Sequence, residues 1–166
     1  MKKHTYSSRA IGAQVAEPIA AYPIPEFTLS FRSNAGDQRV KIDGSRSAAE
    51  VFRRVFNADT IEWHESMIVL CLNRANEVIG MYKLSSGGVS GTVADPRMMF
   101  QTALLSNASS IILAHNHPSG NLKASESDIQ LTKRVRDGGK LLEIQLLDHL
   151  IITATSHYSM ADEGVI

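Results

Sequence analysis

Residues 110–118 read Ser110-Ile111-Ile112-Leu113-Ala114-His115-Asn116-His117-Pro118. The first five of them form a short apolar run rich in β-branched side chains, which is typical of a buried strand. His115 and His117 stand at or just past the end of that run. Because side chains two positions apart in extended backbone point to the same face, we expect both imidazoles to project from one face of the strand end.

A helix start follows the two histidines. Ser125-Glu126-Ser127-Asp128 has the spacing of a capping box, which places Asp128 in the first helical turn, where its carboxylate can turn back toward the strand end. Pro118 and Gly120 indicate a turn that holds the histidines in one geometry. Two imidazoles and one carboxylate are good ligands for a divalent metal, and this set with one open position suits catalytic zinc.

Each part of this pattern also has a plainer interpretation. A pair of histidines two residues apart is common in loops, and Ser125 with Asp128 could serve only as a helix cap. The joint spacing favours the metal site, because no residue between the histidines and the helix is needed for packing.

Size and charge bound the class of protein. The chain has 166 residues, of which 43% are hydrophobic and 20% charged, so we expect one ordinary globular domain with a sizeable core. Lysine and arginine together number 17, as do aspartate and glutamate, so the chain has no net positive charge to attract a polyanion. A nucleic-acid partner is therefore not supported by charge, although a local basic patch stays possible.

Cysteine and hydropathy patterns indicate the compartment. Cys71 is the only cysteine and lies within an apolar run, which fits a core position in a reducing compartment and rules out a cysteine-rich zinc site. We find no apolar stretch of the ~18 residues that a membrane helix needs and no signal peptide. These features predict a soluble, cytoplasmic protein without a membrane partner.

The chain divides into two parts at residue 44. Residues 1–44 are interpreted as an N-terminal arm with a β-hairpin formed by residues 26–31 and 39–42, because these two segments alternate apolar and polar side chains around a turn. Residues 45–166 are predicted to form one domain. Its strands and helices mix without regular alternation, which favours an α/β fold with a mixed β-sheet flanked by helices.

The element boundaries follow from caps and glycines. A capping box predicts a helix start at Ser47, and Asp95-Pro96 predicts a second helix with Met98, Met99, Ala103 and Leu104 as its buried stripe. The helix that opens at Ser125 should end before Gly138-Gly139. Strands are expected at residues 67–72 and 77–84, at 144–147 and 150–152 on either side of Asp148-His149, and at 157–160.

Hydrolysis at such a zinc site needs a group that takes and returns a proton, and glutamate is the usual choice. Glu62 and Glu65 both precede the strand at residues 67–72. Glu65 is favoured because it adjoins the strand, whose pairing would fix its position. Ser125 has a second potential role, since its hydroxyl could donate to a developing oxyanion.

The pattern His115-x-His117-Pro118-x6-Ser125-x2-Asp128, preceded by a separate glutamate, resembles the JAMM (JAB1/MPN/Mov34) metalloenzyme motif. Over residues 45–165 the chain is similar to the bacterial RadC family in four places, which are Leu113-Ala114-His115-Asn116-His117-Pro118-Ser119-Gly120, Asp95-Pro96-Arg97, Leu147-Asp148-His149-Leu150-Ile151 and Tyr158-Ser159.

This resemblance implies a JAB/MPN domain with a three-layer, cytidine-deaminase-like fold. It implies one zinc ion held by His115, His117 and Asp128, with Glu65 as general acid/base and Ser125 assisting at the oxyanion. JAMM enzymes are typically peptidases or isopeptidases, so a protein or peptide substrate is expected. RadC proteins carry a historical DNA-repair label, and their substrate is not settled.

Two departures from the family pattern stand out. Longer RadC proteins have an N-terminal helix-hairpin-helix region suited to DNA, and nothing in residues 1–45 resembles it, which weakens the DNA connection for this chain. Ala124 stands where the family often has proline. All the metal-ligand and acid/base positions are filled.

Other enzyme classes fit the residues less well. An HNH nuclease spreads its motif over a ββα unit rather than a tripeptide, and the ligands of a zinc deaminase are absent. A Ser-His-Asp hydrolase lacks its nucleophile elbow. Asp148-His149 is interpreted as a hydrogen-bonded structural pair or as support for the metal ligands.

Two functions remain. The favoured one is a zinc-dependent hydrolase that cleaves a peptide or isopeptide bond. The alternative is a non-catalytic DNA-repair or recombination accessory in which the metal only stabilises the fold. The oligomeric state is left open.

Overall fold

The computed structural model of the chain describes residues 39–87 and 94–166. Within these ranges three α-helices and five β-strands follow one another. The helices are α1 (Ser45–Val55), α2 (Pro96–Leu105) and α3 (Glu126–Leu142), and the strands are β1 (Ser66–Leu72), β2 (Val78–Ser86), β3 (Ser110–Asn116), β4 (Gln145–Ile152) and β5 (His157–Ser159).

The strands form one sheet in the order β2-β1-β3-β4-β5. The pairings β2–β1, β1–β3 and β4–β5 are antiparallel, whereas β3 and β4 are parallel and are connected through α3. The predicted α/β class with a mixed sheet is confirmed. Every residue of β1 and of β3 is buried, as expected for central strands covered on both faces.

The sheet separates two hydrophobic layers. On one face, α1 packs Ala48, Ala49 and Phe52 against alternate residues of β1, including Ile68 and Leu70. On the other face, α2 and α3 cover the remaining alternate residues of β1 and β3, through Met99, Ala103 and Val135 among others. The result is a helix–sheet–helix sandwich, consistent with a JAB/MPN fold.

One predicted detail of α1 and one of α2 are wrong. α1 begins at Ser45 rather than at Ser47, because the Ser47 hydroxyl sits inside the first turn and accepts hydrogen bonds from the N–H groups of Asp43 (3.0 Å) and Gly44 (3.2 Å). In α2 the start at Asp95-Pro96 is confirmed, since Asp95 accepts from the N–H of Arg97. The buried stripe is narrower than predicted, however, because Met98 is 37% and Leu104 53% exposed.

α3 continues past Gly138-Gly139, where the sequence predicts its end. The helix runs to Leu142, and Glu143 reverses the chain in the left-handed conformation with φ 56°. Gly139 lies so close to the carbonyl oxygen of Ile144 that a Cβ there would collide with it. The glycine is thus explained by the tight return of the chain toward β4, not by a helix end.

β4 is one continuous strand instead of two apolar pieces, and Asp148-His149 lies in its middle. Residues 1–38, with the first strand and the turn of the predicted hairpin, lie outside the described residues. The second predicted hairpin segment is described: Lys41 bridges Glu77, and Ile42 is buried against α1. The division of the chain at residue 44 stays a prediction.

Among residues 39–87 and 94–166, the helices are too short or too polar to cross a membrane.

Candidate metal centre

The antiparallel pairing of β1 with β3 determines which residues meet at the site. Met67, near the start of β1, is the register partner of His115, near the end of β3. The segment that enters β1 therefore lies beside the segment that leaves β3. Glu65 precedes Met67 by two residues, and His117 follows His115 by two, so the pairing brings this glutamate to the histidine end of the sheet.

The N-terminus of α3 supplies the carboxylate. Ser125 is the N-cap residue, and Asp128 is the third residue of the helix. The Asp128 carboxylate accepts a 2.8 Å hydrogen bond from the N–H of Ser125, and the Ser125 hydroxyl in return accepts from the N–H of Asp128 at 3.2 Å. This predicted capping box is confirmed, and it turns the carboxylate back toward the strand end.

His115, His117 and Asp128 converge. One ligand atom from each of the three residues lies within 4.8 Å of the other two. The Nε2 atoms of the two histidines are 3.0 Å apart, and Asp128 Oδ1 is 3.5 Å from His115 Nε2. His115 is 1% exposed, so the cluster forms the floor of the site rather than a surface patch.

The protonation of the ligands fits a cation. His117 Nδ1 lies 2.6 Å from the carbonyl oxygen of Asn121, which can only accept, so Nδ1 carries the proton and Nε2 presents a lone pair. Burial raises the pKa of Asp128, but the hydrogen bond and charge of His115 in its protonated form, together with the hydrogen bonds of Ser125, outweigh burial, so the pKa falls well below its usual range. A lone pair and a carboxylate at this spacing suit a divalent metal.

A cleft of about 400 Å³ opens over the cluster. Glu65 and Ser125, the two residues predicted to act in catalysis, both line this cleft, as do Met67, Ser119 and Lys123. The other glutamate considered, Glu62, is exposed and is not part of the cleft lining. The geometry therefore favours Glu65 as the acid/base candidate of the two.

His149 supports His115 from the protein interior. Its Nε2 is 2.9 Å from His115 Nδ1, and its Nδ1 is 2.6 Å from the hydroxyl oxygen of Thr132 on α3. Burial lowers the pKa of His149 well below its ordinary value, and the charge that His115 carries when it is protonated lowers it further. His149 therefore supports a candidate metal ligand, one of the two roles predicted for it from the sequence.

Asp148 is bonded elsewhere. Its carboxylate accepts from the hydroxyl of Ser159 at 2.6 Å and from the N–H groups of His149 and Ala161 at 2.7 and 3.0 Å. Burial raises the pKa of Asp148, and these hydrogen bonds partly oppose the rise. The predicted pair therefore divides its roles: Asp148 ties β4 to β5, and His149 reaches toward the cluster.

Sequence reasoning missed Asn116. This side chain is 1% exposed at the end of β3 and bonds to three backbone groups of the segment before and at the start of β1, in residues Ile61, His64 and Ser66. Its place between two histidines was the available signal, because a polar residue that alternates with two site residues points to the opposite face and must find partners there.

Comparison with known proteins identifies the family. The family model of the RadC-like JAB domain matches residues 42–165, which is most of the chain. The chain belongs to the RadC family. The three elements that form the candidate metal centre of this RadC-family protein, namely β1, β3 and α3, all lie inside the matched residues.

Curated relatives named UPF0758 protein are similar over most of the chain. That of Salinibacter ruber is 46% identical over 165 residues, covering 99% of this chain and 69% of the relative. That of Porphyromonas gingivalis is 41% identical, covering 98% and 70%, and that of Flavobacterium johnsoniae is 39% identical, covering 91% and 66%. The chain thus spans about two thirds of the length of these RadC relatives.

Proposed function

We propose that this RadC-family chain is a zinc-dependent hydrolase of the JAMM type that cleaves a peptide or isopeptide bond. The observation that carries the proposal is the convergence of donor atoms from His115, His117 and Asp128 within 4.8 Å, at the base of a cleft that Glu65 also lines. Metal ligands, a carboxylate base and an open space beside them are the parts that metal-assisted hydrolysis needs.

Zinc would be held by the Nε2 atoms of the two histidines and by the carboxylate of Asp128. When bound, it would polarise a carbonyl as a Lewis acid and lower the pKa of water, so that a nucleophile is available at neutral pH. Three protein ligands leave room for substrate, which separates a catalytic zinc site from a closed structural one.

Glu65 acts as the proton carrier in this proposal. Its carboxylate takes the proton of the attacking water and returns it to the leaving amine, so the carboxylate is unchanged at the end of the cycle. The backbone carbonyl of Glu65 accepts a 2.8 Å hydrogen bond from the N–H of Gly87, which restrains the backbone of this residue beside the cleft.

Ser125 assists at the oxyanion. Its hydroxyl lines the cleft, caps α3 and donates to Asp128 Oδ2 at 2.5 Å. Rotation of this hydroxyl when substrate is bound would let it donate instead to the oxygen on which negative charge develops as the carbonyl is attacked. The substrate is a protein or peptide in the cytoplasm.

The test measures metal content and cleavage together. The purified chain is analysed for bound metals and incubated with a library of peptides and lysine isopeptides, as wild type and as the variants His117→Ala, Glu65→Gln and Glu62→Gln. We expect His117→Ala to lose zinc and cleavage, and Glu65→Gln to keep zinc while cleavage falls about 10²–10⁴-fold. Glu62→Gln is the matched control and should behave as wild type.

Retention of cleavage by Glu65→Gln would remove the role of Glu65. Cleavage that survives a chelator, with the fold intact, would contradict hydrolysis that depends on zinc. A chain that holds zinc without cleaving, and that binds DNA tightly and in a salt-dependent manner, would instead favour the non-catalytic accessory.

A further inference from the structure

A relay of hydrogen bonds runs from α3 to the three candidate metal ligands through residues that do not line the cleft. It begins at the backbone carbonyl of Asp128, passes through Thr132 and His149, and ends at His115. Thr132 and His149 are both 0% exposed. We propose that Thr132 and His149 are positioning residues that fix the tautomer of His115, so that its Nε2 faces the cluster as a lone pair.

The direction of donation along the relay follows from its first member. The carbonyl oxygen of Asp128 can only accept, and the Thr132 hydroxyl oxygen is 2.6 Å from it, so Thr132 donates its single proton there. The sulfur of Met160, 3.2 Å from the same hydroxyl, is a much weaker acceptor. With its proton committed, Thr132 accepts from His149 Nδ1 at 2.6 Å, so that nitrogen carries a proton.

The second step fixes His115. The ring of His149 is fully buried, and its two nitrogens contact a hydroxyl and an imidazole rather than a carboxylate, so the neutral form is the stable one. A neutral ring protonated at Nδ1 has a lone pair on Nε2, which accepts from His115 Nδ1 at 2.9 Å. His115 then has its proton on Nδ1 and its lone pair on Nε2.

His115 and His117 are thus each oriented by a backbone carbonyl. His117 bonds directly to the carbonyl oxygen of Asn121, and His115 is connected to the carbonyl oxygen of Asp128 through two buried side chains. Their Nε2 lone pairs face each other 3.0 Å apart. Such an arrangement is unfavourable unless a cation or a proton lies between them, so the hydrogen bonds on the far sides of the rings prepare the site for metal.

This inference rests on the proposed function for its metal, but its main test does not need activity. The full chain is labelled with ¹⁵N-histidine, and the ring tautomers are read from long-range ¹H–¹⁵N correlation spectra, with and without zinc, at mildly alkaline pH. Single His→Gln variants assign the rings. We expect His149 to be protonated at Nδ1 in both samples, and protonation at Nε2 would overturn the proposal.

Substitution of Thr132 supplies the second readout. Thr132→Val removes the hydroxyl and should lower zinc affinity about 10-fold or more, and Thr132→Ser should restore it. Thr102→Val is the matched control, because the Thr102 hydroxyl also donates to the carbonyl four residues earlier, at 2.8 Å, but contacts no imidazole. Zinc affinity that is equal in Thr132→Val and wild type would overturn the relay.

The two proposals fail in different ways. A wild-type chain that binds no zinc would contradict the proposed function, while protonation of His149 at Nδ1 in that chain would still support the relay. A chain that binds zinc and cleaves peptides with His149 protonated at Nε2 would keep the function and remove the relay.

Discussion

The side-chain oxygen of Asn116 accepts a 2.7 Å hydrogen bond from the backbone N–H of Ser66, the residue directly after Glu65. The amide nitrogen of the same side chain donates to the carbonyls of Ile61 (2.7 Å) and His64 (2.9 Å). One buried amide at the end of β3 therefore ties down the segment that carries the proposed acid/base. The histidines and Glu65 are placed relative to each other by this amide as well as by the sheet.

Replacing Asn116 should affect stability and catalysis together. We expect Asn116→Ala to lower the free energy of unfolding by about 1–3 kcal/mol, because the N–H of Ser66 and two carbonyls lose their buried partner. Cleavage should fall further than zinc affinity, because Glu65 loses its support while the metal ligands keep theirs. Urea unfolding, zinc titration and peptide cleavage on the same preparation measure the three quantities.

Asn116→Asp refines the test. It keeps an acceptor for Ser66 but sets a carboxylate against the carbonyls of Ile61 and His64, so it should rescue neither stability nor cleavage. Loss of stability with cleavage unchanged would show that Asn116 has no role in placing Glu65.

Ser125 has two roles that substitutions can separate. Ser125→Ala removes the N-cap of α3 and should cost about 1 kcal/mol of stability. Ser125→Asn retains a good N-cap but has no hydroxyl, so it should fold nearly as well as wild type while cleavage stays low. Thermal unfolding and cleavage are compared, with Ser127→Ala as a control on the neighbouring hydroxyl; full cleavage by Ser125→Asn would remove the oxyanion role.

The parts of the site that were predictable from the sequence are those set by local geometry. A buried β-branched run, two histidines at strand spacing and a capping box each constrain their neighbours within a few residues, so the convergence of His115, His117 and Asp128 could be expected. Glu65 was favoured over Glu62 because it adjoins a strand, and it alone of the two lines the cleft.

What escaped prediction depends on contacts between distant residues. The position of Asn116 between two histidines indicates that its side chain needs partners, but these lie 50 or more positions away, and no local pattern reveals which they are. A role for His149 in supporting the metal ligands was considered from the sequence, but its bond to Thr132 joins a strand to a helix 17 residues earlier, and Thr132 looks like an ordinary helix threonine.

Cys71 should be unreactive in the folded protein. It is 1% exposed, and burial raises the pKa of its thiol, an effect that a hydrogen bond with Ser106 only partly opposes. Since the thiolate is the nucleophile, labelling by a thiol reagent should be slow at neutral pH and should become fast only as the chain unfolds. The midpoint of labelling in urea should match that of circular dichroism, and rapid labelling without denaturant would contradict the buried position.

Gly138 and Gly139 provide a matched pair within one helix. A Cβ at Gly139 would meet the backbone carbonyl of Ile144, which is held by the turn into β4, so Gly139→Ala should destabilise the fold by about 1–3 kcal/mol. A Cβ at Gly138 would lie 2.9 Å from the ring of Phe100, a side chain that can shift, and alanine gains up to about 1 kcal/mol of helix propensity there. Thermal unfolding should therefore show a clear drop for Gly139→Ala and little change for Gly138→Ala. Equal effects at the two positions would contradict the close return of the chain as the reason for Gly139.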